Sequence, residues 1–139
     1  VCPRLVWTPT SFAHAEAIRY AEIHHGGTDD AALTKEYDVL LGALLLNGAL
    51  AAIKAGSPKE ARSLTTRALG LPLDDKERAK ALYRRALAAG DDADAERDLA
   101  DAAALQPEDA AIRAELARVR ERAKAKKDAE KKRFKKMFG

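Results

Sequence analysis

The sequence predicts an all-α fold: a superhelix of antiparallel helix pairs followed by one long C-terminal helix. Three observations carry this expectation. Apolar residues make up 47% of the 139 residues but aromatics only 5%, so a core must be built from thin side chains on closely packed helices. Glycine and proline fall mostly between stretches of helical period, where they punctuate rather than interrupt. Similar segments also recur about every 34–36 residues: Ala61, Leu64 and Leu69 are echoed by Ala95, Leu99 and Leu105.

The elements follow in order. Residues 1–10 hold Pro3 and Pro9, show no helical period and read as an irregular leader. Ser11 can cap a first helix to about His25, stopped by Gly26 and Gly27. Thr28 or Asp29 opens a long second helix to about Ala55, roughly 40 Å at 1.5 Å per residue. Gly56 ends it. Ser57 as N-cap, Pro58 at the first helical position and Glu60 three residues on form a capping-box pattern for a third helix, which ends near Gly70. Asp74 or Asp75 caps a fourth helix ending at Gly90, and Asp91 or Asp92 a fifth reaching about Leu105. Pro107 begins the last, with Glu108 and Asp109 at its positive end, and this helix runs to about Met137. The chain thus divides into a leader (1–10), a repeat domain (11–106) and an extended basic helix (107–139). Gly48, Ala49, Ala61, Ala86 and Ala95 are the positions where helices approach closely. The period and the helix–turn–helix unit point to tetratricopeptide repeats; an ordinary helical bundle shares the helices but not the period.

The net charge of +3 hides an asymmetry. From Arg118 to Gly139 there are 11 Lys/Arg against Glu121, Asp128 and Glu130, a balance of +8, which leaves −5 on the remaining 117 residues. The basic tail centres on Lys124, Lys126, Lys127, Lys131, Lys132, Arg133, Lys135 and Lys136. Asp128 and Lys132 are spaced for an i,i+4 pair. Val119, Ala123, Phe134, Met137 and Phe138 add apolar anchors of the kind a helix-in-groove target offers. An acidic, calmodulin-like partner fits that pattern. No interleaved aromatics or recognition motif support a nucleic-acid partner.

Several function classes find no support. The single cysteine, Cys2, forms no internal disulfide and fits a reducing compartment, hence a cytoplasmic location. His14, His24 and His25 lack metal-ligand spacing with Cys2. No activated nucleophile, phosphate-cradling loop or paired acid and base occurs, so neither a catalytic residue nor a cofactor is expected. The richest apolar run, Val39 to Ile53, is about 15 residues and reads as a buried helix rather than a bilayer span. No signal-peptide pattern and no membrane partner are expected. The chain does not begin with Met, and a fragment of a longer protein is the expectation.

One motif stands apart. In Lys80-Ala-Leu-Tyr-Arg-Arg85, Lys80 and Arg84 project from one helix face four residues apart. Like charges at that spacing cost a helix about 0.2–0.5 kcal/mol, whereas a groove that holds an anion gains from them. Solvated surface charges are the plainer reading, with Glu77 partly neutralising Lys80. Asn47, inside an apolar helix, fits either a groove or a core amide bonded to a neighbouring helix.

With Leu45-Leu46-Asn47, Leu64-Thr65-Thr66-Arg67-Ala68-Leu69, Ala79 through Leu87, Pro107-Glu108-Asp109-Ala110-Ala111-Ile112, Glu115 through Val119 and Phe134 through Phe138, the chain resembles the C-terminal tetratricopeptide domain of large cyclophilins of the cyclophilin-forty type, fungal ones in particular. The likeness runs from about Ala15 to the end. It implies a co-chaperone module that binds the acidic C-terminal peptide of heat-shock protein 90, or 70, in a clamp for two carboxylates, and no isomerase domain in these residues. Residue by residue, Asn47 matches the clamp asparagine of the second repeat, and Lys80 and Arg84 the lysine and arginine of the third. The basic tail resembles the family's calmodulin-binding extension. The family also draws a lysine and an asparagine from a helix upstream of Ala17, where this chain has Val1 to Thr10 with neither residue. A partial clamp is therefore implied. The alternatives are a degenerate repeat scaffold or a truncated immunophilin fragment acting through its basic tail. An array without its first helix should also expose an apolar face around Ile18 and Leu40.

Overall fold

The computed structural model describes residues 9–24, 30–90 and 93–138. These form six helices: α1 (Pro9–His24), α2 (Ala31–Lys54), α3 (Pro58–Leu69), α4 (Asp75–Ala89), α5 (Ala93–Leu105) and α6 (Ala110–Phe138). The fold is all-α, as the sequence predicts, and residues 1–8 of the expected leader lie outside the description.

Several boundaries differ from expectation for local reasons. Helix α1 begins at Pro9, two residues before Ser11; proline is tolerated in a first turn, where its missing N–H would have no intrahelical partner. Asp30 is the N-cap of α2, its carboxylate accepting from Ala32 N at 2.9 Å and Leu33 N at 3.4 Å; Thr28 and Asp29 lie outside the described residues. The capping box at α3 does not form. Ser57 sits at φ −109, ψ 72 and its side chain makes no cap bond. Gly56, at φ 73, turns the chain so that Ser57 N–H donates to Ala52 O at 2.8 Å, and the helix starts on backbone bonds. Asp74 caps α4 with a 2.7 Å bond from Glu77 N, and Gly90 ends it at φ 78. Asp91 and Asp92 are not described. Helix α6 starts at Ala110 rather than Pro107 because Asp109 is its cap, accepting from Ala111 N at 2.9 Å and Ile112 N at 3.2 Å. Asp128 and Lys132 make no ion pair.

Each helix packs on the next, and α2 also touches α4 directly. The helices therefore form two layers. In one, α2 and α4 lie side by side. In the other, ion pairs tie α3 to its neighbours: Arg67 to Glu22 of α1, and Arg62 to Asp94 of α5 at 3.9 Å. This is the tetratricopeptide-like superhelix of antiparallel pairs.

Its core has two centres. Ile18, Leu41, Leu45, Leu46, Ala49 and Leu64 form the first; Leu82, Leu99, Ile112 and Val119, with Ala79, Ala86, Ala95 and Ala102, form the second. Leu69 packs against both. Thin side chains permit the close approach: Ala49, Ala61 and Ala95 are fully buried, and Ala86 nearly so. At Gly48 a Cβ would come within 3.2 Å of Ile18 Cδ1 and 3.3 Å of Leu64 Cδ1, so α1 and α3 meet α2 where it has no side chain. Ile18, expected on an exposed face, is buried in this contact, while Leu40 is exposed.

By length and composition α2 could reach across a bilayer, contrary to the sequence expectation, since its 24 residues extend the apolar run at both ends. Its buried residues Leu41, Leu45, Leu46, Ala49 and Ala52 instead form a core stripe inside the array.

Candidate functional site

The contact between α2 and α4 brings Arg84 to the turn that carries Asn47. Arg84 points from α4 to α2, where its guanidinium donates to the backbone carbonyl of Leu46. Leu46 precedes Asn47, so the arginine is anchored beside the asparagine's turn. Asn47 is exposed; the alternative of a core amide fails because the buried stripe of α2 runs through Leu45, Leu46, Gly48 and Ala49 and leaves position 47 outside it. Lys80 lies one turn before Arg84 on the same face of α4 and is exposed, with no ion pair to Glu77.

Electrostatically, Arg84 is the unusual member. It is half-buried, and burial alone lowers its pKa from the usual arginine value. No carboxylate among the described residues pairs with it. A guanidinium stripped of part of its water, and holding only one carbonyl, retains donors in a planar fork that suits a carboxylate. Lys80 and Asn47 add an exposed ammonium and an exposed amide, donor types that pair with anions.

The next residue shows a different arrangement. Arg85 forms a bidentate pair with Asp98 of α5, Nε to Oδ2 at 2.7 Å and a terminal nitrogen to Oδ1 at 2.6 Å. Asp98 is buried, and the carboxylate raises the arginine's pKa. Sequence reasoning missed this pair. The available signal was a charged residue at the centre of the apolar face Ala95, Asp98, Leu99, Ala102, at spacing i, i+3, i+4, i+7. Tyr83, also missed, packs half-buried at the second core centre; burial first, then Glu115 and Asp109 of the α6 region, raise its pKa.

The basic tail is remote from this contact in sequence. Lys124, Lys126, Lys127, Lys131, Lys132, Arg133, Lys135 and Lys136 are all exposed, as are Phe134, Met137 and Phe138. Near its start α6 is fixed to the array by Val119 and by Arg120, which pairs with Glu96 of α5 at 3.0 Å. No cluster of His, Cys, Asp and Glu suited to a metal ion occurs among the described residues.

The fold defines a tetratricopeptide-like module of antiparallel helix pairs. The chain is homologous to fungal peptidyl-prolyl cis-trans isomerase D of the cyclophilin-forty type, and matches only its C-terminal tetratricopeptide portion. It is 40% identical over 136 residues to the isomerase D of two strains of Cryptococcus neoformans var. neoformans serotype D, covering 91% of this chain and 36% of the relative. To the isomerase D of Eremothecium gossypii it is 41% identical over 99 residues, 69% of this chain and 27% of the relative. The chain thus spans about a third of the length of the curated relatives it matches. The described residues form the six helices of the array, with no isomerase domain among them. No protein-family model matches the chain.

Proposed function

We propose that this module works in the cytoplasm as a co-chaperone element that captures the acidic C-terminal peptide of heat-shock protein 90, or 70, through a partial carboxylate clamp of Asn47, Lys80 and Arg84. The observation that carries the reading is Arg84: a half-buried cation beside Asn47, held by the Leu46 carbonyl and unpaired with any carboxylate among the described residues. In this reading Arg84 grips one peptide carboxylate with its fork, Lys80 adds a point charge one turn away, and Asn47 donates its amide to the same end of the peptide. The homology to isomerase D supports the class of module, and the family resemblance at Asn47, Lys80 and Arg84 supports the choice of peptide.

Calorimetric titration with a peptide ending in Met-Glu-Glu-Val-Asp, against its C-terminal amide, tests this. Arg84→Ala and Lys80→Ala should each weaken binding by about 1.5–3 kcal/mol, the range for a hydrogen bond to a charged group. Binding weaker than millimolar, or indifference to amidation and to both substitutions, would remove the clamp and leave a scaffold that recognises some other protein surface.

A further inference from the structure

From residue 124 to residue 138 every residue of α6 is exposed, over roughly 22 Å of helix at 1.5 Å per residue. Upstream the helix is fixed to α5, through Val119 in the second core centre and the Arg120–Glu96 pair. The exposed stretch holds eight Lys and Arg against Asp128 and Glu130, a balance of +6, which leaves −3 on the rest of the chain. It also holds three large apolar side chains: Phe134, Met137 and Phe138 are 63%, 67% and 73% exposed.

These groups are ordered around the helix. Phe134, Met137 and Phe138 are spaced i, i+3, i+4 and share one face, and the two rings lie 4.6 Å apart. With a turn of about 100° per residue, Lys131 and Lys135 border that face on one side and Arg133 on the other, while Lys132 and Lys136 lie behind it. Followed upstream, the same face passes through Glu130 and Lys127 before it reaches Ala123. The apolar part is therefore confined to the last two turns.

That arrangement decides between two kinds of acidic partner. A protein groove takes anchors at i, i+3 or i+4 and i+7 along one face of a helix, and here it would bury Glu130 and Lys127 beside the rings. It would also engage only the cations that border that face. A negatively charged lipid surface acts on all of them, because its field extends over about 8–10 Å, comparable with the helix diameter of about 10–12 Å. Such a surface takes up the rings by shallow burial and lets lysine stems reach back to the headgroups. Asp128 and Glu130 then stay in water, outweighed by the cations around them. The rest of the chain, at −3, gains nothing from that field, so attachment falls to the helix. The expectation of no membrane partner weighs spanning runs and signal segments; an interfacial helix needs neither.

We propose that residues 124–138 of α6 are an attachment site for anionic phospholipid surfaces. The cations are drawn to the headgroups, and Phe134, Met137 and Phe138 sink into the boundary between headgroups and acyl chains. Asn47 and Arg84 lie on other helices and take no part.

Co-sedimentation of the full 139-residue chain with vesicles tests this. Phosphatidylcholine vesicles in which about one lipid in four is phosphatidylserine should bind it at least about a hundredfold more tightly than phosphatidylcholine alone. Binding should fall steeply between about 0.1 and 0.5 M salt. Phe134→Ser/Phe138→Ser should weaken it about tenfold or more and keep the salt dependence. Lys131→Gln/Lys132→Gln/Lys135→Gln/Lys136→Gln should weaken it about a hundredfold and flatten the salt dependence. All six positions are exposed, and circular dichroism with the urea midpoint checks that the array is intact. No binding to the mixed vesicles at the lower salt, or equal binding to both kinds of vesicle, overturns the proposal. Binding unchanged by either multiple substitution overturns it too. A chain that ignores vesicles yet binds an acidic, calmodulin-like protein through these residues also overturns it, and assigns the helix to a protein groove.

Discussion

Arg84 and Arg85 are chain neighbours on α4, and the two sides of that helix treat them in opposite ways. The step of one residue turns the side chain by about 100°. On one side Arg84 reaches α2 and finds a carbonyl; on the other Arg85 reaches α5 and finds the buried carboxylate of Asp98. One cation is satisfied within the fold and the other retains capacity for a ligand. Charge in the sequence therefore says little by itself about binding. What matters is whether the neighbouring helix supplies a counter-charge.

The strongest way to break the comparison is Arg85→Ala. It leaves Asp98 buried without its partner, and removing one member of a buried pair costs about 3–5 kcal/mol. Arg85 is 28% exposed, so the lower end, about 3 kcal/mol, is expected in urea unfolding. Against a domain stability of roughly 5–15 kcal/mol that is a large loss. Asp98→Asn, which keeps an acceptor for the guanidinium, should cost less than half as much.

Arg84→Ala sharpens the contrast. It removes one hydrogen bond to a carbonyl and relieves a half-buried charge, so the loss in unfolding free energy should be about 1 kcal/mol or less. Its larger effect belongs to peptide binding. If Arg84→Ala destabilises the chain as much as Arg85→Ala does, the guanidinium is a strut between α2 and α4, and the two sides of α4 are alike.

The same contrast shows what the sequence makes legible. Helix order, the stops at Gly56, Gly70 and Gly90, and the close approaches at Gly48 and Ala61 depend on local composition or on a short repeat, and could be read directly. The fate of Arg85 depends on a residue 13 positions away, and that of Arg120 on one 24 positions away; neither is visible in local pattern except as an acid on the apolar face of α5. The capping box at Ser57 had the right residues and failed because the preceding turn set a different backbone angle there. Asn47 was ambiguous because the Leu-rich run around it masks the helical period. Only the packing of α1, α3 and α4 on α2 shows that position 47 faces outward.

Tyr83 gives the smallest effect, on a third face of α4 turned toward α6. Its pKa is raised by burial and by the charges of Glu115 and Asp109. Below about pH 10, the ordinary tyrosine value, the phenol is neutral in both folded and unfolded chains, and the fold keeps its full stability. Above it the unfolded chain ionises first, so stability is lost as pH rises toward the folded-state pKa. Tyr83→Phe removes this contribution. Between pH 8 and pH 10.5 the unfolding free energy from urea titration should therefore fall less in the variant than in the wild type, by well under about 1 kcal/mol because solvent screens a half-exposed ring. An equal fall in both proteins would mean that Tyr83 feels neither the burial nor the α6 carboxylates, and that α4 has only the two faces its arginines define.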